Sequence, residues 1–117
     1  YIIFDRNFYT SAVHQSGQLT LQEIVNINVE EGAIMPNKTL VFMCNPETSF
    51  KRILDRRNKI KRYSLPSMNE NLNQLIKYHR LYLDLLDSYP NLNKINCDKS
   101  EEEVFQDIWE NLKNEYN

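Results

Sequence analysis

Asp5 and Arg6 are adjacent, and Tyr9, Thr10, Ser11, His14 and Gln15 follow closely. An arginine in such company suits a phosphate, because its planar guanidinium donates two parallel hydrogen bonds. A carboxylate beside it suits a hydrated Mg²⁺ or a ligand hydroxyl. A second concentration of charge lies in residues 51–62, where Lys51, Arg52, Arg56, Arg57 and Arg62 accumulate. A third, smaller one is Asp98 with Lys99, close after the short run of residues 92–96. Each has a plainer reading: an internal Asp5–Arg6 ion pair, a first-turn hydroxyl at Ser11, a packing imidazole at His14, a solvated basic face over residues 51–62.

These groups need elements to hold them. The run Tyr1-Ile2-Ile3-Phe4 reads as a buried strand whose carboxyl end delivers Asp5 and Arg6 into a site. A helix carrying Ser11, His14 and Gln15 follows. Thr20 with Glu23 forms a capping box ahead of Ile24 and Ile27, with a stop at Gly32. Pro36-Asn37 turns the chain into Thr39-Leu40-Val41-Phe42-Met43, a continuous apolar run of the central parallel type. Asn45-Pro46 places an N-cap before a proline at the first helical position. Phe50, Ile53 and Leu54 then face inward, opposite Lys51, Arg52, Arg56 and Arg57. Between residues 58 and 66 the periodicity fails, which predicts a mobile loop. Ser67 with Glu70 predicts the start of the longest helix, with Leu72, Leu75, Ile76, Leu83 and Leu86 on its core side. Tyr89-Pro90-Asn91 closes it, and residues 92–96 read as a short strand with Ile95 inward. Ser100 with Glu103 opens a last helix whose Val104, Phe105, Ile108, Trp109 and Leu112 pack back on the sheet. Strands alternating with helices predict an α/β fold, a parallel sheet with flanking helices, in one domain without repeats or linkers.

Composition narrows the function. A formal charge of −2 over 117 residues and a pI near 5.7 give no push towards nucleic acid or a membrane surface. No apolar run approaches the ~20 residues of a membrane span, and no signal peptide is visible. Cys44 and Cys97, far apart in sequence at predicted strand ends, read as buried thiols in a reducing, cytoplasmic setting. With only Gly17 and Gly32, no Gly-x-x-x-x-Gly-Lys-Ser/Thr loop can be written anywhere in the chain.

The Asp5-Arg6 segment, with Ser11 and His14-Gln15, resembles the Asp-Arg-x-x-x-Ser-x-x-Ala-Tyr-Gln element of thymidylate kinases. Gly32-Ala33-Ile34-Met35-Pro36-Asn37-Lys38-Thr39 resembles that family's Gly-x-x-x-Pro-Asp-x-Thr approach to its next strand. Phe50-Lys51-Arg52-Ile53-Leu54-Asp55-Arg56 resembles its Ala-x-x-Arg-Ile-x-x-Arg helix. Lys61-Arg62-Tyr63-Ser64 takes the place of Asp-Arg-Phe-Glu. Tyr82-Leu83-Asp84-Leu85-Leu86 and Ile95-Asn96-Cys97-Asp98 resemble the later Tyr-x-x-Leu-Ala and Ile-Asp-Ala elements.

The resemblance implies a partial P-loop nucleoside monophosphate kinase fold, with residues 1–117 as the C-terminal portion of the domain and a lid at about 52–66. It also implies a glycine-rich loop roughly 80–100 residues upstream, at ordinary element lengths. The strand carrying that loop would lie between residues 1–4 and the Thr39 strand, leaving a gap in this chain's own sheet. The implied chemistry is γ-phosphoryl transfer from ATP, with Mg²⁺, to dTMP. A homodimer is among the states the resemblance allows. Arg6 and Asp5 then serve the acceptor phosphate and the Mg²⁺ shell, with Arg56 and Arg62 the catalytic lid candidates. Ser11 and Gln15 face the thymine edge, and His14 lies by the deoxyribose. Arg52, Arg56, Arg57, Asp98 and Lys99 attend ATP. Four positions depart from the family pattern: Asn7 for an aromatic, His14 for tyrosine, Lys61 for an acid and Ser64 for glutamate. A deoxynucleoside kinase and a non-catalytic nucleotide-binding module are the competing readings.

Overall fold

The computed structural model describes residues 1–59 and 71–116. In chain order these form α1 (Phe8–Gln15), α2 (Leu21–Glu30), β1 (Thr39–Met43), α3 (Pro46–Lys59), α4 (Leu72–Ser88), β2 (Leu92–Asn96) and α5 (Glu101–Leu112), then a 3₁₀ turn over Lys113–Tyr116. β1 and β2 pair in parallel, Thr39 opposite Leu92 and Met43 opposite Asn96. A parallel pair requires a long crossover, and here it carries α3 and α4. The helices flank this two-stranded sheet, as the alternating pattern predicts.

Local chemistry explains where the elements begin and end. Thr20 and Ser100 form reciprocal capping boxes with Glu23 and Glu103. α2 ends in a Schellman motif: Gly32 takes φ 95°, its N–H reaches the Val29 carbonyl at 3.1 Å, and the Ala33 N–H reaches Asn28 at 2.9 Å. That left-handed residue is why glycine stands there. Asn45 Oδ1 accepts from the Glu47 N–H at 2.9 Å, capping α3 ahead of Pro46. α3 continues through Lys59, past the point where periodicity predicts a loop. Arg56, Arg57 and Lys59 in its last turn favour the helix by opposing the negative end of its dipole. The described start of α4 is capped by Asn71, whose Oδ1 accepts from the Gln74 N–H at 2.9 Å. The expected Ser67–Glu70 box lies outside the described residues.

The core joins Phe8, Tyr9, Ala12 and Val13 of α1 to Ile24 and Val25 of α2, Val41 and Met43 of β1, Leu85 of α4 and Leu92 of β2. On α4 the inward stripe is Tyr78, Leu81, Tyr82, Leu85 and Leu86, joined by the C-cap Tyr89. Leu85 is fully buried, whereas Leu83 is exposed; tyrosines alternate with leucines on the true face, so a leucine-only pattern picks the wrong residue.

The largest departure from the sequence expectation is at the start. Residues 1–4 form no strand, and Ile2 and Ile3 are 80% and 87% exposed. A strand exists only by pairing, and among the described residues β1 pairs with β2 alone. The consequence is visible on the sheet face that carries Phe42 and Ile95. Ile95 is buried, but Phe42, Phe105 and Trp109 stay largely exposed, because two strands are too narrow a platform for α5. Leu54 of α3 is exposed for the same want of a surface.

Candidate functional site

Arg6 is the only described non-glycine residue with a left-handed backbone, φ 73°. Such a conformation costs an arginine about 1–3 kcal/mol and persists where its surroundings or its task require it. The next residue, Asn7, caps α1 by accepting the Tyr9 N–H at 3.0 Å. The strained residue therefore leads directly into a helix N-terminus, where unsatisfied N–H groups and the helix dipole favour an anion. Asp5 and Arg6 are both exposed, and neither makes a hydrogen bond or ion pair among the described residues. The plain reading of Asp5 and Arg6 as an internal ion pair thus finds no support in the geometry.

Along α1 the residues sort by helical spacing. Ala12 and Val13 are buried, and Ser11, His14 and Gln15, at i, i+3 and i+4, share the opposite side. Ser11 is half-buried, while His14 and Gln15 are exposed. The Tyr9 hydroxyl is directed inward and accepts from Asn91 Nδ2 at 3.4 Å, so it belongs to the core rather than to the site. His14 lies against Tyr78 of α4, ring centroids 4.3 Å apart and planes tilted by 45°. Although much of the imidazole remains accessible, this packing strips water from one face. Burial first, and the Arg6 charge second, lower its pKa below the ordinary 6.5.

That shift ties the two candidates together and has a sign. The unfolded chain protonates His14 more readily, so stability rises with pH between the lowered folded value and 6.5 and is lost on acidification through that window. Arg6→Gln should raise the His14 titration midpoint, read from its imidazole proton shifts against pH. An unmoved midpoint would separate Arg6 from this face of α1.

The second group sits at the carboxyl ends of the strands. Asp98 accepts the Asn45 N–H with both carboxylate oxygens, at 3.1 and 3.0 Å. Lys99 donates to Asp107 at 2.7 Å. That hydrogen bond, with the Asp107 charge behind it, raises the Lys99 pKa. Both residues therefore already have structural duties. The charge of Arg52, exposed on α3, is felt at Cys97, so it overlooks the strand ends. Arg56 and Arg57 follow on the same helix; Arg62, with Lys61, Tyr63 and Ser64, lies outside the described residues. No hydrogen bond or ion pair among the described residues joins Asp5, Arg6, Ser11, His14 or Gln15 to Arg52, Asp98 or Lys99.

Three contributors escape a reading by type and spacing. Tyr78 meets His14 only because α1 packs on α4, and nothing near it in sequence announces this. Asn45 supplies the N–H that holds Asp98, a role hidden behind its obvious one as a cap. Asn7, where the family pattern has an aromatic, fixes the start of α1; an asparagine one residue after a charged pair was the available signal.

The α/β chain thus carries Asp98 and Lys99 at its strand ends and Arg6 beside a helix N-terminus. The family model for thymidylate kinase matches residues 1–108, and the chain belongs to the thymidylate kinase family. No curated protein and no solved structure matches it. Its parallel sheet with flanking helices is accordingly a partial nucleotide kinase fold, and its function is, in general terms, that of a nucleotide kinase, a phosphotransferase class that works with ATP and Mg²⁺. Among the described residues no helix is long and apolar enough to cross a membrane.

Proposed function

We propose that this chain forms the acceptor-nucleotide side of a thymidylate kinase site and holds dTMP for transfer of the ATP γ-phosphoryl group, giving dTDP. The observation that carries the reading is Arg6: a strained backbone beside a helix N-terminus, presenting a guanidinium with no hydrogen bond or ion pair among the described residues. Phosphoryl transfer asks a protein for positioning and for positive charge around a crowded anion. Arg6 takes the dTMP phosphate bidentately and orients it towards the donor. Ser11 and Gln15 face the base edge. His14, held neutral against Tyr78, lines the sugar, where its bulk disfavours a 2′-hydroxyl. Arg52, Arg56 and Arg57 of α3, together with Arg62, gather the donor phosphates. Asp98 and Lys99 border the adenine from the loop after β2.

Mg²⁺, arriving with ATP, neutralises charge on the phosphate oxygens when bound. The single exposed carboxylate of Asp5 fits it, since this ion keeps most of its waters and takes one or two carboxylates beside the phosphates. Among the described residues no cluster of three or more His, Cys, Asp or Glu offers a protein-only metal cage.

Calorimetric titration of the 117-residue chain with dTMP and, separately, with thymidine tests the reading. The expected result is binding of dTMP at least roughly tenfold tighter than thymidine, since one charge-assisted phosphate contact is worth about 1.5–3 kcal/mol. Equal affinities would favour a deoxynucleoside kinase, and binding of ATP alone would favour a non-catalytic nucleotide module.

A further inference from the structure

Cys44 and Cys97 lie more than fifty residues apart in sequence, yet each follows the last residue of its strand. The register pairs Met43 with Asn96, so the next step sets Cys44 opposite Cys97, on the sheet face shared with Phe42 and Ile95. Two contacts pin this spacing from either side. Below, the Cys97 N–H extends the ladder to the Met43 carbonyl at 2.7 Å. Above, Asp98 grips the Asn45 N–H with both oxygens. Neighbouring strands stand about 4.8 Å apart, inside the roughly 4.4–6.8 Å between Cα atoms that a disulfide spans. Both thiols are free and half-buried, neither shut in the core nor fully in solvent. Sequence separation argues for two independent buried thiols; the register makes them neighbours.

We propose that Cys44 and Cys97 are a dithiol modification site, oxidised to an internal disulfide by low-molecular-weight disulfides such as oxidised glutathione. The Cys44 thiolate attacks one sulfur of the oxidant, forming a mixed disulfide and expelling one glutathione thiolate. The Cys97 thiolate then attacks the Cys44 sulfur, closing the Cys44–Cys97 bond and expelling the second glutathione. Two protein thiols are oxidised, one external disulfide is reduced, and the two protons released pass to the departing thiolates or to solvent. The order follows from surroundings. Burial, and then the nearby Cys44, push the Cys97 thiol up, leaving it the weaker first attacker. Cys44 Sγ instead lies 2.6 Å from the Ser49 hydroxyl, next to the start of α3. The bond requires no change of register, because residues paired across neighbouring strands already stand within the Cα span a disulfide takes.

The test is incubation of the 117-residue chain with oxidised glutathione, once folded and once in urea, followed by alkylation of remaining thiols and mass analysis of a non-reduced digest. Expected is a linked peptide pair containing Cys44 and Cys97, a chain mass lower by two hydrogens, and reversal by dithiothreitol. Linkage in the folded chain should outpace that in urea by at least roughly tenfold, since folding replaces a long loop closure with a fixed neighbour. Cys44→Ser and Cys97→Ser should each stop at a single glutathione adduct. Should either variant fail to fold, the wild-type digest decides alone. Stable glutathione adducts without the linked peptide, links only between chains, unreacted thiols, or equal rates folded and in urea would each overturn the proposal.

Discussion

Arg6→Ala should weaken dTMP binding by the 117-residue chain by roughly tenfold to a hundredfold, with Arg6→Lys falling between it and the native chain. The range follows from the ~1.5–3 kcal/mol of a charge-assisted hydrogen bond. Lysine keeps the charge but loses the fork that grips two phosphate oxygens at once. Arg6→Gly provides a sharper comparison, because the two roles of this residue then move in opposite directions. Glycine adopts φ 73° at no steric cost, so the melting temperature should rise while dTMP affinity falls as far as in Arg6→Ala. Calorimetry at fixed ionic strength and thermal unfolding monitored by circular dichroism read the two effects separately. Native affinity in both Arg6→Ala and Arg6→Gly would reduce Arg6 to a feature of the turn and remove the main support for an acceptor site.

The second large effect is an absence of turnover. Incubated with ATP, Mg²⁺ and dTMP in excess, the 117-residue chain should produce no dTDP above the uncatalysed background. The chain contains only Gly17 and Gly32, and neither belongs to a loop whose backbone amides could cradle the β- and γ-phosphates. Arginines on α3 offer attraction without in-line geometry, and misplacement of the reacting atoms by even ~1 Å costs orders of magnitude. dTMP binding without turnover is thus the combined signature expected here. Radiolabelled transfer that co-purifies with the chain through successive columns, and vanishes in Arg6→Ala, would overturn this expectation.

Much of the architecture was legible because it is written locally. Thr20 with Glu23, Asn45 with Pro46, and Ser100 with Glu103 set helix starts through contacts no more than three residues long, and each is found in place. Gly32 announces its own left-handed turn. The run over residues 1–4 has every local mark of a strand, but local marks cannot supply a partner, and among the described residues none pairs with it. The same distinction divides the site. Asp5, Arg6, Ser11, His14 and Gln15 could be chosen from type and spacing. The Tyr78 ring against His14 and the grip of Asp98 on Asn45 are tertiary facts without a local signature. The nearness of Cys44 to Cys97, both free thiols as their separation suggests, is likewise written only in the β1–β2 register.

The grip of Asp98 on Asn45 also has a mechanical meaning. It fastens the N-terminal end of α3 to the loop after β2, while no residue of α3 is buried. A helix clamped at one end and lightly seated along its length behaves as a lever with its fulcrum at the clamp. Arg56 stands about 15 Å from that fulcrum at 1.5 Å per residue, so a tilt of about 10° sweeps its guanidinium through roughly 2.6 Å. A tilt about that clamp would thus move the arginines at the far end of α3 more than any residue near Asn45.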